Sequence, residues 1–250
     1  MTWVAPLALL AAALGSWEAL ARLGSIENYL LPAPSEVARA LIEDRGLLLP
    51  DAWVTAQEVL LGFALAVAVG LVVAVLLHLS PTLRRALYPL VVASQAVPVI
   101  VIAPVLVIWF GFGMAPKLIV IALICFFPLV VNTLDGLQSV DRAQIKMMRT
   151  LGAGRWDLLR RLEAPAALPF VFSGAKIAVA VAVIGAVFGE LVGSDAGLGH
   201  AIQVGTAQLL TARVFAAVVL LAAMAVTLFA VVAAAERRLL PWVRNEGRGA

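Results

Sequence analysis

Residues 135–165 read DGLQSVDRAQIKMMRTLGAGRWDLLRRLEAP and join two strongly apolar stretches of the chain. Helix-forming residues occupy Asp141–Leu151, the glycines of Gly152-Ala153-Gly154 interrupt them, and a second short helix is predicted for Arg155–Glu163. Pro165, which cannot donate a backbone hydrogen bond, is expected to end that helix. A polar pair of helices between two apolar runs predicts a loop that projects from a membrane into water.

The composition of the whole chain agrees with a membrane protein. Of its 250 residues, 63% are hydrophobic and 13% are charged, and the mean hydropathy is +1.04. Soluble domains carry about 25% charged residues, so this chain has too little polar surface to cover a soluble globule. In a bilayer the apolar surface faces lipid, and residues 1–250 are expected to form one membrane domain.

Six apolar stretches are long enough to cross a hydrocarbon core of about 30 Å as helices that rise about 1.5 Å per residue. They cover approximately residues 3–20, 59–77, 88–110, 118–134, 169–192 and 214–235. These stretches show no sustained polar–apolar alternation, and helices satisfy their own backbone groups in lipid. The predicted fold class is an all-α membrane protein with about six transmembrane helices.

The distribution of basic residues predicts the orientation of these helices. Segments 78–86 and 135–165 and the C-terminal tail hold 12 of the 18 lysines and arginines, and the alternate segments hold five. Because cytoplasmic loops are enriched in Lys and Arg, we expect these segments and both termini to face the cytoplasm. The basic residues that give the net charge of +3 therefore indicate which loops face the cytoplasm, and they are not interpreted as a nucleic-acid-binding surface.

The pattern of residues leaves two segments open to more than one interpretation. Segment 22–53, predicted on the outer side, is either an interfacial connector or a docking surface for an external partner. Segment 135–165 has a leucine face and an arginine face in its second helix. This segment either transmits force from a soluble partner or lies on anionic lipid.

The spacing within the quoted segment resembles the signature of ABC-importer permeases: Glu-Ala-Ala, three residues, glycine, nine residues, then Ile-x-Leu-Pro. Lys146-Met147-Met148 stands at the triplet, Gly152 at the glycine and Leu162-Glu163-Ala164-Pro165 at the end. The triplet's glutamate and both alanines are replaced, and Ala164 stands at the penultimate leucine. The resemblance implies a type I ABC-importer permease fold, with a cytoplasmic coupling helix between membrane helices 4 and 5.

Further stretches look like the nitrate, sulfonate and taurine branch of these permeases. They are Leu30-Leu31-Pro32-Ala33-Pro34-Ser35-Glu36-Val37, Gln95-Ala96-Val97-Pro98, Ala103-Pro104, Trp109-Phe110-Gly111-Phe112-Gly113 and Gly197-Leu198-Gly199. Residues 126–136, FFPLVVNTLDG, look closest to permeases for the pyrimidine precursor of thiamine. The resemblance favours that pyrimidine as the solute, followed by sulfonate-, taurine- or nitrate-like solutes.

The resemblance implies an ATP-driven importer in the bacterial inner membrane. Its pathway is formed with a second permease chain, expected to be a second copy, and an external binding protein delivers the solute. Two ATP-binding subunits bind the coupling helices and use ATP and Mg²⁺, so this chain is a transport subunit and not an enzyme. The residues implied to contact the ATPase are Lys146, Arg149, Gly152, Ala153, Arg155, Trp156, Asp157, Leu162 and Pro165.

The sequence lacks the motifs with which other proteins bind nucleotides and metals, which supports an ATPase on a separate chain. The three lysines follow Pro116, Ile145 and Ala175, and none follows glycine, so the sequence contains no Gly-Lys-Ser/Thr phosphate loop. One cysteine and two distant histidines give no metal-ligand cluster. The chain is therefore expected to bind no cofactor or metal of its own.

Polar residues within the predicted spans are candidates for the translocation pathway, because uncompensated polar groups at membrane depth are costly. Gln95, beside Pro98, either lines a cavity or satisfies a carbonyl freed by proline. Asn132 either makes a helix-end hydrogen bond or faces the pathway. Glu190 lies within Gly185-x3-Gly189-x3-Gly193, and is either wetted near the outer interface or part of an outer gate or subunit contact.

Two other classes of membrane protein fit the sequence less well. An integral membrane enzyme needs a nucleophile beside a base, but Ser94 and Ser173 have no histidine in any predicted span, and His78 and His200 are predicted on opposite sides. A secondary transporter usually has repeated halves and charged residues deep in its spans, and neither is seen in this sequence.

Overall fold

The computed structural model describes residues 4–24, 27 and 29–242, and their regular structure is entirely helical. The helix Pro81–Ala93 continues into a 3₁₀ turn, Ser94–Ala96, and the helix Arg155–Leu158 continues into a π-helical turn, Leu159–Glu163. The α-helices are α1 (Val4–Leu23), α2 (Pro34–Glu43), α3 (Arg45–Leu79), α4 (Pro81–Ala93), α5 (Val99–Phe110), α6 (Met114–Gln138), α7 (Arg142–Thr150), α8 (Arg155–Leu158), α9 (Ala164–Gly193), α10 (Leu198–Ala207) and α11 (Thr211–Leu239).

Four helical segments within the described residues are long and apolar enough to cross a membrane, and the bent pair α4–α5 makes a fifth if it spans as one unit. The four are Arg45–Leu79, Met114–Gln138, Arg155–Gly193 and Thr211–Leu239. Each contains one predicted span and extends beyond it. The first predicted span overlaps α1, which is not among these segments, and its residue Trp3 lies outside the described residues.

The predicted span 88–110 is not one continuous helix. A 3₁₀ turn, Ser94–Ala96, follows α4, Val97 is extended with φ −88° and ψ 117°, and α5 starts at Val99. The axes of the two halves differ by 99°. Pro98 lacks an N–H and disfavours helical backbone at the residue before it, so the chain breaks here instead of kinking gently.

The centre of the bundle is α6, which packs parallel to α3 and antiparallel to α9. Glycines allow these helices to approach closely, as small residues commonly do in membrane bundles. A Cβ added to Gly62 of α3 would lie 2.7 Å from the Cβ of Ile121 on α6. On α9, a Cβ at Gly174 would lie 2.8 Å from the Pro128 carbonyl oxygen, and a Cβ at Gly185 would lie 3.1 Å from the Cα of Ile121.

The expectation that Pro165 ends a helix is wrong. A wide turn of π-helix, Leu159–Glu163, joins α8 to α9, and within it the N–H of Ala164 bonds to the carbonyl of Leu159. Arg155–Gly193 is therefore continuous over 39 residues. Pro165 lies in the first turn of α9, where the change of hydrogen-bond register accommodates a residue that has no N–H.

We expect Gly62→Ala to destabilise the bundle, because its new methyl group overlaps the rigid Cβ of Ile121. Overpacking of this kind costs about 1–3 kcal/mol. Gly46→Ala is the matched control in the same helix, since a Cβ there meets no atom within 4 Å. Thermal unfolding of the detergent-purified protein should show a lower midpoint for Gly62→Ala only. Equal midpoints for the two variants would contradict the close α3–α6 contact.

Candidate functional site

Three consecutive backbone N–H groups at the start of α10 are bound by side chains from α3 and α9. The N–H of Gly197 donates to Asp51 Oδ1 at 2.9 Å, and that of Leu198 donates to Thr55 Oγ1 at 2.9 Å. The N–H of Gly199 donates to Glu190 Oε2. The first N–H groups of a helix have no partner within it, so these side chains, which we call the α10 cap, stabilise its beginning.

Glu190 occupies the middle of the α10 cap. It is fully buried, and the hydroxyl of Thr55 donates to its Oε1 at 2.6 Å. The alternative of a wetted Glu190 near the interface is therefore wrong within this chain. A Cβ at Gly197, where φ is +110°, would lie 2.3 Å from Glu190 Oε1, and one at Gly199 would lie 2.8 Å from Oε2. The two glycines of the Gly-Leu-Gly motif thus make room for the carboxyl group.

A buried ion pair lies at the same end of the bundle. Lys117 Nζ donates to Glu58 Oε1 and to Ser194 Oγ, each at 2.6 Å, and both charged side chains are almost wholly buried. Glu58 is one turn along α3 from Thr55, whose hydroxyl donates to Glu190. The sequence alone does not reveal this pair, because 59 residues separate its members and no local motif joins them.

Gln95 and Pro98 line a groove of about 480 Å³ between the α4–α5 break, α6 and α9. Most of its other lining residues are aliphatic, and the aromatic ring of Phe188 also contributes. Gln95 therefore lies beside a cavity, which agrees with the first of the two interpretations given for this residue from the sequence. The side chains of both residues are exposed in the single chain, so the groove is open on one side.

Asn132 lies apart from this groove. Its Nδ2 donates to the Pro128 carbonyl at 2.8 Å, and its Cβ packs where Gly174 leaves space on α9. The α6 helix continues to Gln138, so Asn132 is not at the helix end. Its side chain contributes to the α6–α9 contact, and it is not among the residues that line the groove.

Residues 139–163, which we call the α6–α9 loop, begin with the exposed helix α7. Asp141 caps that helix by accepting from the N–H of Ala143 at 2.9 Å. At the other end Gly152 has φ +83°, and the N–H of Ala153 bonds to the carbonyl of Met148 at 3.0 Å. This is the Schellman geometry in which a left-handed residue, normally glycine, closes a helix.

The remaining residues expected to contact the ATPase differ in exposure. Lys146, Arg149 and Trp156 are exposed, and Trp156 retains 67% of its accessible surface. Asp157 Oδ2 accepts from the N–H of Gly154 at 3.4 Å, which caps α8, and Leu162 is half-buried. The structure thus brings this set together on one loop but leaves only part of it accessible to a partner.

The α8 turn is fixed to the end of α3. Arg155 donates to the carbonyl of Leu79, and His78 Nε2 lies 2.8 Å from Glu163 Oε2 with both side chains largely buried. Leu159 packs with Leu137 and Ala167 in a small core beneath the loop. The sequence does not predict the pairing of His78 with Glu163, since it depends on the long-range packing of α3 against α9.

We expect Glu190→Leu to loosen α10, because it removes the acceptors of the Thr55 hydroxyl and the Gly199 N–H while keeping similar bulk. An unsatisfied buried donor costs about 1–3 kcal/mol. Hydrogen exchange of the 197–207 amides in the purified protein should accelerate at least about fivefold. Thr55→Ser, which retains the hydroxyl, should exchange like the wild type. Unchanged exchange in Glu190→Leu would contradict the capping role.

Comparison with known proteins supplies the family. The model of the binding-protein-dependent transport system inner membrane component matches residues 66–245. The formylaminopyrimidine transport permease protein ThiX of Halalkalibacterium halodurans is 37% identical, over 92% of each chain. The riboflavin transport system permease protein RibX of Chloroflexus aurantiacus is 38% identical, over 90% of this chain and 85% of the relative. The taurine transport system permease protein TauC of Escherichia coli is 32% identical, over 93% and 87%.

A solved structure supports the fold. An inward-facing MetNI methionine ABC transporter matches with a TM-score of 0.62 at 21% identity, over 76% of this chain and 96% of that one. The predicted resemblance to ABC-importer permeases, including the sulfonate and taurine branch and the thiamine-precursor permeases, is confirmed. In this family the ATPase is a separate chain. The chain belongs to the inner-membrane permease components of binding-protein-dependent ABC importers.

Proposed function

We propose that this chain forms half of a pathway for a small, uncharged heteroaromatic solute, best represented by a thiamine-precursor pyrimidine. The observation that carries this proposal is the chemistry of the groove at the α4–α5 break. Its lining combines aliphatic side chains with Phe188, the hydroxyl of Ser94 and the amide of Gln95. An aromatic ring can pack on such a surface while an amide bonds its ring nitrogens.

The same lining argues against a sulfonate as the solute. Among the described residues, no charged side chain lines the groove. A sulfonate entering it loses hydration, and no lysine or arginine is present to compensate that loss. Two of the relatives named above carry a pyrimidine or riboflavin in their names, and both molecules contain nitrogen heterocycles. The groove and these relatives therefore favour the same solute class.

A second copy of this chain is proposed to close the groove. The groove is open on one side, and the adjoining α5 segment exposes large apolar side chains, among them Ile108, Trp109 and Phe112. A pathway for a polar solute cannot be left open to lipid, since lipid offers no hydrogen-bond partner. Apposition of two such surfaces would enclose the solute between two grooves.

The α6–α9 loop is proposed to face the cytoplasm, with both termini, and to bind a separate ATPase. Support comes from the basic residues of the loop and from the exposed α7 helix with its rigid glycine turn. ATP binding by the partner would favour one of two arrangements of the permease pair, and hydrolysis would restore the other. An external binding protein would present the solute at the opposite face.

Uptake by cells that express the complete transporter tests the solute class and the energy source. Labelled hydroxymethylpyrimidine should accumulate, excess unlabelled pyrimidine should compete and taurine should not. Uptake should stop on ATP depletion and persist when a protonophore collapses the proton gradient. Gln95→Leu should reduce uptake about fivefold, the equivalent of one hydrogen bond of about 1 kcal/mol, whereas Gln208→Leu, outside the groove, should not.

The outcomes of the uptake experiment separate the two parts of the proposal. Competition by taurine and not by the pyrimidine would refute the solute class. Uptake that follows the proton gradient and ignores ATP would refute the importer role itself.

We expect Gly152→Val to weaken capture of the ATPase by the purified permease at least about fivefold. A β-branched residue is strained at φ +83°, at a cost of about 1–3 kcal/mol, so the turn after α7 would rearrange. Gly154→Val is the matched control, because φ is −74° there and an added Cβ meets only the Asp157 carboxylate, at 3.6 Å. Both variants should insert normally in the membrane. Equal capture would show that the turn is not part of the docking surface.

A further inference from the structure

The exposed side of α7 carries two different stripes. Arg142, Lys146 and Arg149 are spaced by four and three residues and lie on one flank of the helix. Met147 and Leu151, spaced by four residues, lie on the other flank and keep 60% and 76% of their accessible surface. One short helix therefore offers a cationic edge and an apolar edge on opposite flanks, and the side chains of both edges are exposed.

The cationic edge is not neutralised within the described part of the chain. Arg142, Lys146 and Arg149 form no ion pair or hydrogen bond through their side chains there. The other two lysines are both paired, Lys117 with Glu58 and Lys176 with Glu236. Lys146 is thus the one lysine of the described residues whose charge is available to a partner.

The acidic residues of the α6–α9 loop are already engaged elsewhere. Asp141 caps α7, Asp157 caps α8 and lies 3.6 Å from Arg161, and Glu163 contacts His78. Arg149 and Arg155 also border a cavity of about 470 Å³ behind α7, and Glu163 is the one acidic residue of the described chain that lines it. The residues of α7 itself, Arg142–Thr150, include three basic and no acidic side chains, so the net charge of this helix is positive.

We propose that α7 docks into an ATPase groove whose floor is apolar and whose rim carries carboxylates opposite Lys146 and Arg149. This inference rests on the proposed coupling role of the loop and adds the chemistry of its partner. Met147 and Leu151 supply the buried contact, and the cationic edge selects the partner by charge. Electrostatic complementarity of this kind governs specificity and association rate more than total affinity.

The positive charge at position 146 distinguishes the partner expected for this chain from the partner of a permease that keeps the glutamate of the importer signature. Lys146 stands where the importer signature has glutamate, so the charge of this position is reversed. A groove that complements a glutamate would place like charge against Lys146, and such juxtapositions are unfavourable. The ATPase of this transporter is therefore expected to be exchangeable only with ATPases that carry acidic groups at the same place.

Charge reversal on the full-length permease tests the proposal. The ATPase that copurifies with the wild type is titrated onto detergent-purified permease. Lys146→Glu with Arg149→Glu should weaken binding at least about tenfold at 0.1 M salt, and the difference should shrink at 1 M salt, where charges are screened beyond about 3 Å. Arg238→Glu, an exposed charge at the end of α11, is the matched control and should bind normally.

Carbodiimide coupling provides a second measurement that does not depend on affinity. The reagent joins an amine to a carboxylate in contact with it, so the complex should give an amide bond between Lys146 and an aspartate or glutamate of the ATPase. Lys146→Arg should bind within about twofold of the wild type and give no such product, because a guanidinium does not couple. Mass spectrometry of the digested complex identifies the linked carboxylate.

The possible results test the coupling role of the loop and the acidic rim of the ATPase groove separately. If no ATPase copurifies with the wild type, the proposed coupling role fails and the inference falls with it. If the ATPase binds but charge reversal leaves the affinity unchanged, only the acidic rim is refuted. The rim is also refuted if charge reversal affects binding only when anionic lipid is present, since the cations then contact lipid headgroups.

Discussion

The close approach of α6 to α3 on one side and to α9 on the other is the constraint on which the rest of the molecule depends. Gly62 and Gly185 place both neighbours against Ile121, so three backbones meet around one side chain. Lipid offers no hydrophobic gain for such contacts, and dispersion across well-fitted surfaces has to supply the attraction. The polar sites at both ends of the bundle are positioned by these same three helices.

The two ion pairs that α3 makes and the α10 cap lie at the ends of this apolar contact. At one end, α3 and α9 supply the α10 cap, and α6 supplies Lys117 for Glu58. At the other, α3 supplies His78 for Glu163. Glu190, Glu58, Lys117, His78 and Glu163 each have at least one specific partner, because an unpaired charge at these depths would cost more than the contacts nearby provide. The arrangement specifies the register of the helices as well as stabilising them.

The sequence predicted features that depend on local composition and missed those that depend on long-range packing. Apolar length located the four long apolar helices, and glycine spacing located the turn at Gly152. The sequence did not predict the 99° break near Pro98, since prolines within a span produce anything from a slight kink to a complete break. Nor could it pair Lys117 with Glu58, because side chains 59 residues apart meet only through the fold.

The continuity of Arg155–Gly193 gives the two ends of the bundle a common element. A helix rises about 1.5 Å per residue, so the 35 positions from Arg155 to Glu190 correspond to about 50 Å. Arg155 and Glu163 are held to the end of α3, so a displacement of the α6–α9 loop acts on α3 and α9 together. The π-turn at Leu159–Glu163 is the irregular point between them, where a change of hydrogen-bond register requires little unwinding. A displacement of the loop would therefore reach Glu190 and the start of α10 through continuous helix, with the π-turn as the one irregular point in Arg155–Gly193.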